Sequence, residues 1–177
     1  MSIDLQQDFF TLFGLPRAYP IDQTKLEHAY LELQSQVHPD RYAHLPDVQK
    51  RLSMQWATRV NEAYQTLRKP LSRAQYLLEL RGVDTGLERN TAMSPAFLME
   101  QMEWREAVEE ARDAGDCDGL DHLLQRLRRH AAEIHEELAI QLSDSGDSQE
   151  AAETVRRLMF IRKLETEIDD ALEALEP

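Results

Sequence analysis

Among 177 residues, the arrangement most able to do chemistry is the tripeptide His38-Pro39-Asp40, which joins a titratable imidazole to a carboxylate across a proline. An imidazole beside a carboxylate can act as a general base, or the two can dock a partner through a directed hydrogen bond and an arginine contact. The catalytic reading needs a nucleophile, an oxyanion site or a third orienting residue, and the residues around 38–40 supply none. Pro39 restricts the backbone and so presents His38 and Asp40 at low entropic cost, which favours docking. Other chemistry is weaker. The six histidines do not pair with cysteine at metal spacing, and His130 and His135 are five apart instead of an i, i+4 pair. The single Cys117 excludes an internal disulfide and a thiolate cage. Neither a metal nor a cofactor is expected.

The elements that must position the tripeptide are helical. Leucine occurs 25 times while isoleucine and valine together occur 12 times, and 13 residues are glycine or proline. That bias favours helix over strand and predicts an all-α fold. Asp8–Leu15 reads as a short aromatic turn stopped by Gly14 and Pro16. Asp22 then caps a helix with Leu26, Tyr30, Leu33 and Val37 on one stripe, which Pro39 must end. After the connection 41–47, a third helix places Leu52, Trp56, Val60, Ala63 or Tyr64, and Leu67 on one face until Pro70. Two such helices joined by a short loop form an antiparallel hairpin with His38-Pro39-Asp40 at its tip. A fourth piece, 71–80, stops at Gly82.

Residues 82–93 lose helical spacing and read as a linker between a domain at 1–81 and another at 94–177. Ser94-Pro95 starts a helix running to about Ala114 before Gly115. Asp116 or Asp118 starts the next, and Asp147 with Glu150 starts the last, through Leu175. Short loops make these an antiparallel three-helix bundle. At about 100° per residue, Phe97, Trp104, Ala107, Val108 and Ala111 form the buried stripe of its first helix, while Leu98, Met99 and Met102 lie roughly 120–160° from Trp104. Glu103, Glu106, Glu109 and Glu110 share or border their face. On the last helix, Ile161, Leu164, Ile168, Leu172 and Leu175 form the stripe, and Phe160 falls about 100° off Ile161. Apolar residues on a wet face mark a protein-binding surface, or pack on the first domain, the linker or a second side of the bundle.

Charge divides along the chain. The total is 20 basic against 33 acidic residues. Up to Arg73 the count is 9 basic and 8 acidic, beyond it 11 and 25, so the surplus acid belongs to the second part. Nucleic acid is not an expected partner. With no apolar run of membrane length and no leader, a soluble, cytoplasmic and monomeric protein is expected.

The hairpin, its His-Pro-Asp tip and the upstream Phe-Phe-Thr-Leu-Phe-Gly-Leu resemble the J-domain of co-chaperones that serve DnaK-class chaperones. The resemblance implies that the tip, with His38, Pro39, Asp40 and Arg41, stimulates ATP hydrolysis by a partner chaperone, and that the chain is not itself an enzyme. Many J-domains carry several basic residues on the second helix and a Lys-Tyr pair before the motif. Here Gln34-Ser35-Gln36-Val37 occupies that stretch and the nearby basic groups are Lys25, His28 and Arg41, which points to docking that is weaker or tuned to a dedicated partner.

The element order, with Pro70-Leu71-Ser72-Arg73-Ala74-Gln75-Tyr76-Leu77-Leu78-Glu79-Leu80, Phe97-Leu98-Met99-Glu100-Gln101-Met102-Glu103 and Thr154-Val155-Arg156-Arg157-Leu158, resembles HscB-type co-chaperones of iron–sulfur cluster biogenesis over essentially the whole chain. This implies that the second domain holds an iron–sulfur cluster scaffold protein for delivery to an HscA-like chaperone. Its contacts would be Leu98, Met99, Met102 and Phe160, with Glu103, Glu106 and Glu110 as acidic neighbours. Met102 stands where leucine is common, a swap tolerable by size. A J-domain protein for a different client, and an acidic helical adaptor without a chaperone link, are the rival readings.

Overall fold

The computed structural model describes residues 6–42, 44, 46–85 and 94–175. Among the described residues all regular structure is helical, and the chain divides into two compact units, Met1–Leu77 and Leu78–Pro177. The division falls within a helix, and residues 86–93 of the expected linker lie outside the described residues.

The first unit contains α1 (Phe9–Leu12), α2 (Gln23–Val37), α3 (Asp47–Arg68) and most of α4 (Pro70–Leu80). Asp8 caps α1 by accepting from the Phe10 and Thr11 amides. Burial alone would raise the Asp8 pKa, but its hydrogen bonds from Arg17 and Thr11 outweigh that and hold it down at about 2. Asp22 caps α2 through the Lys25 amide. Phe10, Leu26, Val37, Val60, Ala63 and Leu67 close the core between α1, α2 and α3. Near the tip the expected α3 stripe shifts: Leu52 is exposed and Ser53 takes the buried position, its hydroxyl donating back to the Lys50 carbonyl at 3.1 Å. Further down, Tyr30 and Tyr64 stack with centroids 4.0 Å apart.

Two long-range ties hold α4 in this unit. The Phe9 amide donates to the Tyr76 hydroxyl at 3.0 Å, and the two rings stack at 4.4 Å. Arg73 is buried, donating from Nε to the Tyr19 carbonyl at 2.7 Å and from a terminal nitrogen to the Leu67 carbonyl at 2.6 Å. Its guanidinium also lies over the Tyr19 ring, and burial lowers its pKa while raising that of the Tyr19 hydroxyl. One planar fork thus joins the loop before α2 to the end of α3. Arg73→Ala will strip two carbonyls of their donor and leave a cavity, lowering stability by about 3 kcal/mol in denaturant unfolding of the full chain. Arg73→Lys will recover only part of this, because a single ammonium cannot reproduce the fork.

The second unit contains α5 (Pro95–Asp113), α6 (Cys117–Gln141) and α7 (Ser148–Leu175). Ser94 caps α5 through the Phe97 amide, with a proline in the first turn. Gly115, at φ +65°, makes the tight turn after α5, and Asp116 caps α6. Asp147 accepts from the Gln149 and Glu150 amides at the start of α7. Arg81, just after α4, donates to the Leu142 carbonyl at 2.7 Å and to Ser148 Oγ at 3.1 Å, so it covers the open end of α6 and ties it to α7.

The core of this unit is formed mainly by α6 and α7: Leu120, Leu124, Leu127, Ile134 and Leu138 face Val155, Leu158, Ile161, Leu164 and Ile168. The expected α7 stripe fades at its end, where Leu172 is half-buried, Leu175 is exposed and Ala171 takes the buried place. Helix α5 contributes only Phe97 and Val108 as buried side chains. Trp104, expected in the stripe, is half-buried. It lies beneath the Arg126 guanidinium at 4.9 Å and stacks on His130 at 6.5 Å, covering the groove between α5 and α6.

Candidate functional sites

The hairpin tip is built by a proline that ends α2 and at once starts a different turn. His38 is the C-terminal cap of α2 with extended ψ of 128°, and Pro39–Tyr42 form a single turn of 3₁₀ helix, within a stretch the sequence pattern marks only as a break and connection. The Arg41 amide donates to the His38 carbonyl at 3.0 Å and closes that turn. Arg41 also donates to the Ser35 carbonyl at 3.1 Å, so the side chain expected to face a chaperone is engaged in satisfying the end of α2.

His38 and Asp40 project outward, with side chains 54% and 90% exposed. The Asp40 amide donates to His38 Nδ1 at 3.3 Å, and His38 Nδ1 lies 3.6 Å from Asp40 Oδ2. With Nδ1 accepting, the neutral ring carries its proton on Nε2, which is presented as a donor beside an open carboxylate. Such an exposed pair is open to a partner surface and lacks the enclosure that general-base chemistry needs.

Lys25 and His28 are exposed on α2. At about 100° per residue they lie 60° apart, with Lys25 about 100° and His28 about 160° from the stripe of Leu26, Leu33 and Val37. Lys25 also pairs with Asp22 at 3.8 Å, an exposed contact worth little. The exposed Glu32 lies among them, so this face is less basic than the positions of Lys25 and His28 alone imply.

The second site lies on α5. Leu98, Met99 and Met102 are 46%, 63% and 70% exposed, and Glu103, Glu106 and Glu110 are exposed beside them. Three large apolar side chains thus face water on one arc of a helix that has little buried surface of its own. Phe160 behaves differently. It is half-buried, packs edge-on against Phe97 with centroids 6.0 Å apart, and lies under the Arg105 guanidinium at 5.6 Å. It therefore borders the patch from α7 as a partly covered ring.

Two interactions had no signal in helical periodicity. His130 links Glu100 on α5, at 2.7 Å, to Glu133 on α6, at 3.4 Å, and so pins α5 from the side opposite the apolar patch. The Arg105–Phe160 stack crosses from α5 to α7. Either would need the helix register across the bundle, which single-helix periodicity does not contain. The basic residues of α6 and α7 are largely occupied: Arg128 pairs with Asp169 at 4.0 Å, Lys163 with Glu167 at 3.9 Å, and Arg126 covers Trp104. Among the described residues, no group of three His, Cys, Asp or Glu side chains could hold a metal ion, and no helix is long and apolar enough to cross a membrane.

Comparison with known proteins places the chain in a family. A co-chaperone protein HscB homolog of Azoarcus sp. (strain BH72) is 69% identical over 176 residues, covering 99% of both chains. The chain belongs to the HscB co-chaperone family. The family model described as the HSCB C-terminal oligomerisation domain matches residues 93–169, which include all of α5 and α6 and most of α7. Chaperone HscB from Vibrio cholerae superposes with a TM-score of 0.84 at 34% identity, over 96% of this chain and 100% of that one. Human co-chaperone protein HscB gives a TM-score of 0.87 at 30% identity, over 94% and 82%. HscB membership accounts for the pairing of a hairpin bearing His-Pro-Asp with an acidic three-helix bundle in one chain.

Proposed function

We propose that this chain binds an iron–sulfur cluster scaffold protein through its second unit, delivers it to a DnaK/HscA-class chaperone, and stimulates that chaperone's ATP hydrolysis through the His38-Pro39-Asp40 tip. The observation that carries this reading is the exposure of Leu98, Met99 and Met102 beside Glu103, Glu106 and Glu110. An apolar patch with adaptable methionines suits a protein surface, and the glutamates select a partner with a basic rim. Leu98, Met99, Met102 and Phe160 make the apolar contact in this reading, with the three glutamates around it.

At the other site, Asp40 takes a partner arginine and His38 donates from Nε2, with Lys25, His28 and Arg41 contributing a modest positive field. Preferential binding to the hydrolysis-competent state of the chaperone lowers the free energy of that state, so ATP turnover occurs in the partner. The chain itself needs no cofactor for this role and acts in the cytoplasm without nucleic acid or membrane.

The patch is assigned to a scaffold in preference to a second copy of the chain. The excess of acid in this part of the molecule, 11 basic against 25 acidic residues, disfavours contact with a second copy of itself. Calorimetric titration of the purified chain with purified scaffold is expected to give saturable one-to-one binding, with a dissociation constant on the order of micromolar, as suits a transient handover. Absence of binding at tens of times that concentration sinks the scaffold reading and leaves the hairpin assignment standing.

A further inference from the structure

The apolar patch has a charged edge on each side, and the two edges differ in sign. Along α5, Leu98, Met102 and Arg105 follow one another at steps of 4 and 3. At about 100° per residue Arg105 therefore lies 20° from Leu98 and 60° from Met102, in the same surface row. Glu106, Glu110 and Glu103 lie on the far side of the row. Arg105 is on the near side, toward α7, where its guanidinium stacks on Phe160 at 5.6 Å.

A contact of the guanidinium carbon over a ring consumes no N–H donor. The side chain is 45% exposed, its one ion pair is a long 3.9 Å contact to Glu167, and it makes no hydrogen bond among the described residues. Glu109, one turn further along the same row, is not within ion-pair distance among the described residues. Arg105 is therefore pre-positioned by an aromatic ring, weakly paired, and adjacent to exposed apolar groups, which is the state of a cation awaiting a carboxylate.

We propose that Arg105 is a specificity-determining contact of the scaffold-binding surface, receiving one carboxylate of the partner while the glutamates across the patch receive its basic groups. The inference rests on the scaffold reading given above. It makes the surface polar along one direction, from cation through apolar centre to acid, so a partner fits in a single orientation. The complementary surface carries an aspartate or glutamate on one side of an apolar centre and lysines or arginines on the other.

Arg105→Glu separates this from general electrostatic attraction, because the two predict opposite signs. If the acidic surface only attracts a basic partner, replacing a cation with another acid tightens binding. If Arg105 receives a carboxylate, Arg105→Glu weakens binding to the purified scaffold by about tenfold or more. Arg105→Met, which keeps an apolar cover over Phe160, weakens it by a smaller factor. Arg105→Met retains the thermal unfolding profile of the unaltered chain, whereas Arg105→Glu, which sets a carboxylate near Glu167, lowers the unfolding temperature slightly while the bundle stays folded at the temperature of the titration. A scan of exposed Asp and Glu residues of the scaffold, each reversed to Arg, is expected to yield one change that restores binding to the Arg105→Glu chain. If none restores it, or if Arg105→Glu binds as tightly as the unaltered chain while Met99→Glu does not bind, the inference is overturned and the scaffold reading stands. If the unaltered chain itself fails to bind scaffold, both are overturned.

Discussion

His38→Gln is expected to leave this chain folded and, if it acts as proposed, able to bind scaffold, but to cut stimulation of the partner chaperone's ATPase by at least about tenfold. The side chain is over half exposed, so its loss costs the fold little. The Asp40 amide loses an acceptor at His38 Nδ1, but it lies at the surface and water replaces the imidazole there. What cannot be replaced is the direction of the interaction. The ring is held by the Asp40 amide on one side and presents Nε2 on the other, beside a carboxylate that is almost fully exposed. Glutamine has a similar polar reach but more rotatable bonds and no fixed donor axis.

A docking element on a short turn acts through a few fully used contacts, so losing one should reduce stimulation by at least about tenfold. Steady-state ATP turnover by the purified chaperone, with the chain titrated in, measures this directly. Stimulation equal to that of the unaltered chain would remove the hairpin tip from the mechanism. ATP turnover by this chain in the absence of chaperone would instead revive an enzymatic role.

Placing charge in the apolar patch will give the second large effect. Met99 is 63% exposed, so Met99→Glu leaves the bundle intact while putting a carboxylate at the centre of a surface that must lose water on binding. Combined with a change at Phe160, the dissociation constant for scaffold should rise by about a hundredfold or more, the range for removing two central anchors. The two positions are not equivalent. Phe160 packs on Phe97 and under Arg105, so Phe160→Glu also loosens the seat of α5, whereas Met99→Glu acts on the partner alone. Comparing each single variant with the double separates lost contact from a disturbed bundle. In the absence of scaffold, both variants should stimulate the chaperone as the unaltered chain does, because the tip belongs to the other unit. Scaffold binding that survives charge at both positions rules out the patch as the docking surface.

Much of the architecture is dictated locally and is therefore readable residue by residue. Asp22, Ser94, Asp116 and Asp147 cap the helices they precede, because a short acceptor side chain can satisfy amides that have no partner within the helix. Pro39 ends α2 for want of an amide hydrogen. Buried stripes in α6 and most of α7 follow from a periodicity of 3.6, as do Leu26 and Val37 in α2, where Tyr30 and Leu33 between them are half-buried, and the exposure of Leu98, Met99 and Met102 follows from the same geometry, since a helix cannot turn all its faces inward.

The remainder depends on which helix face meets which, and that is set across the chain. A 3₁₀ turn at 39–42 replaces a plain break because Arg41 folds back onto Ser35. Ser53 displaces Leu52 from the core, and Trp104 covers a groove instead of filling the interior, through the way neighbouring helices approach. Phe160 looks from periodicity like a free anchor, yet Phe97 and Arg105 half-cover it from another helix. The sequence by itself determined the helices, their caps, the tip motif and an acidic surface with misplaced apolar residues, because these arise from interactions within a turn or two of chain. Only the tertiary structure decided the orientation of His38 against Asp40, the Arg73 and His130 ties, and the cation at the edge of the patch. Those require side chains distant in sequence to converge, and convergence depends on packing register, which no single helix encodes.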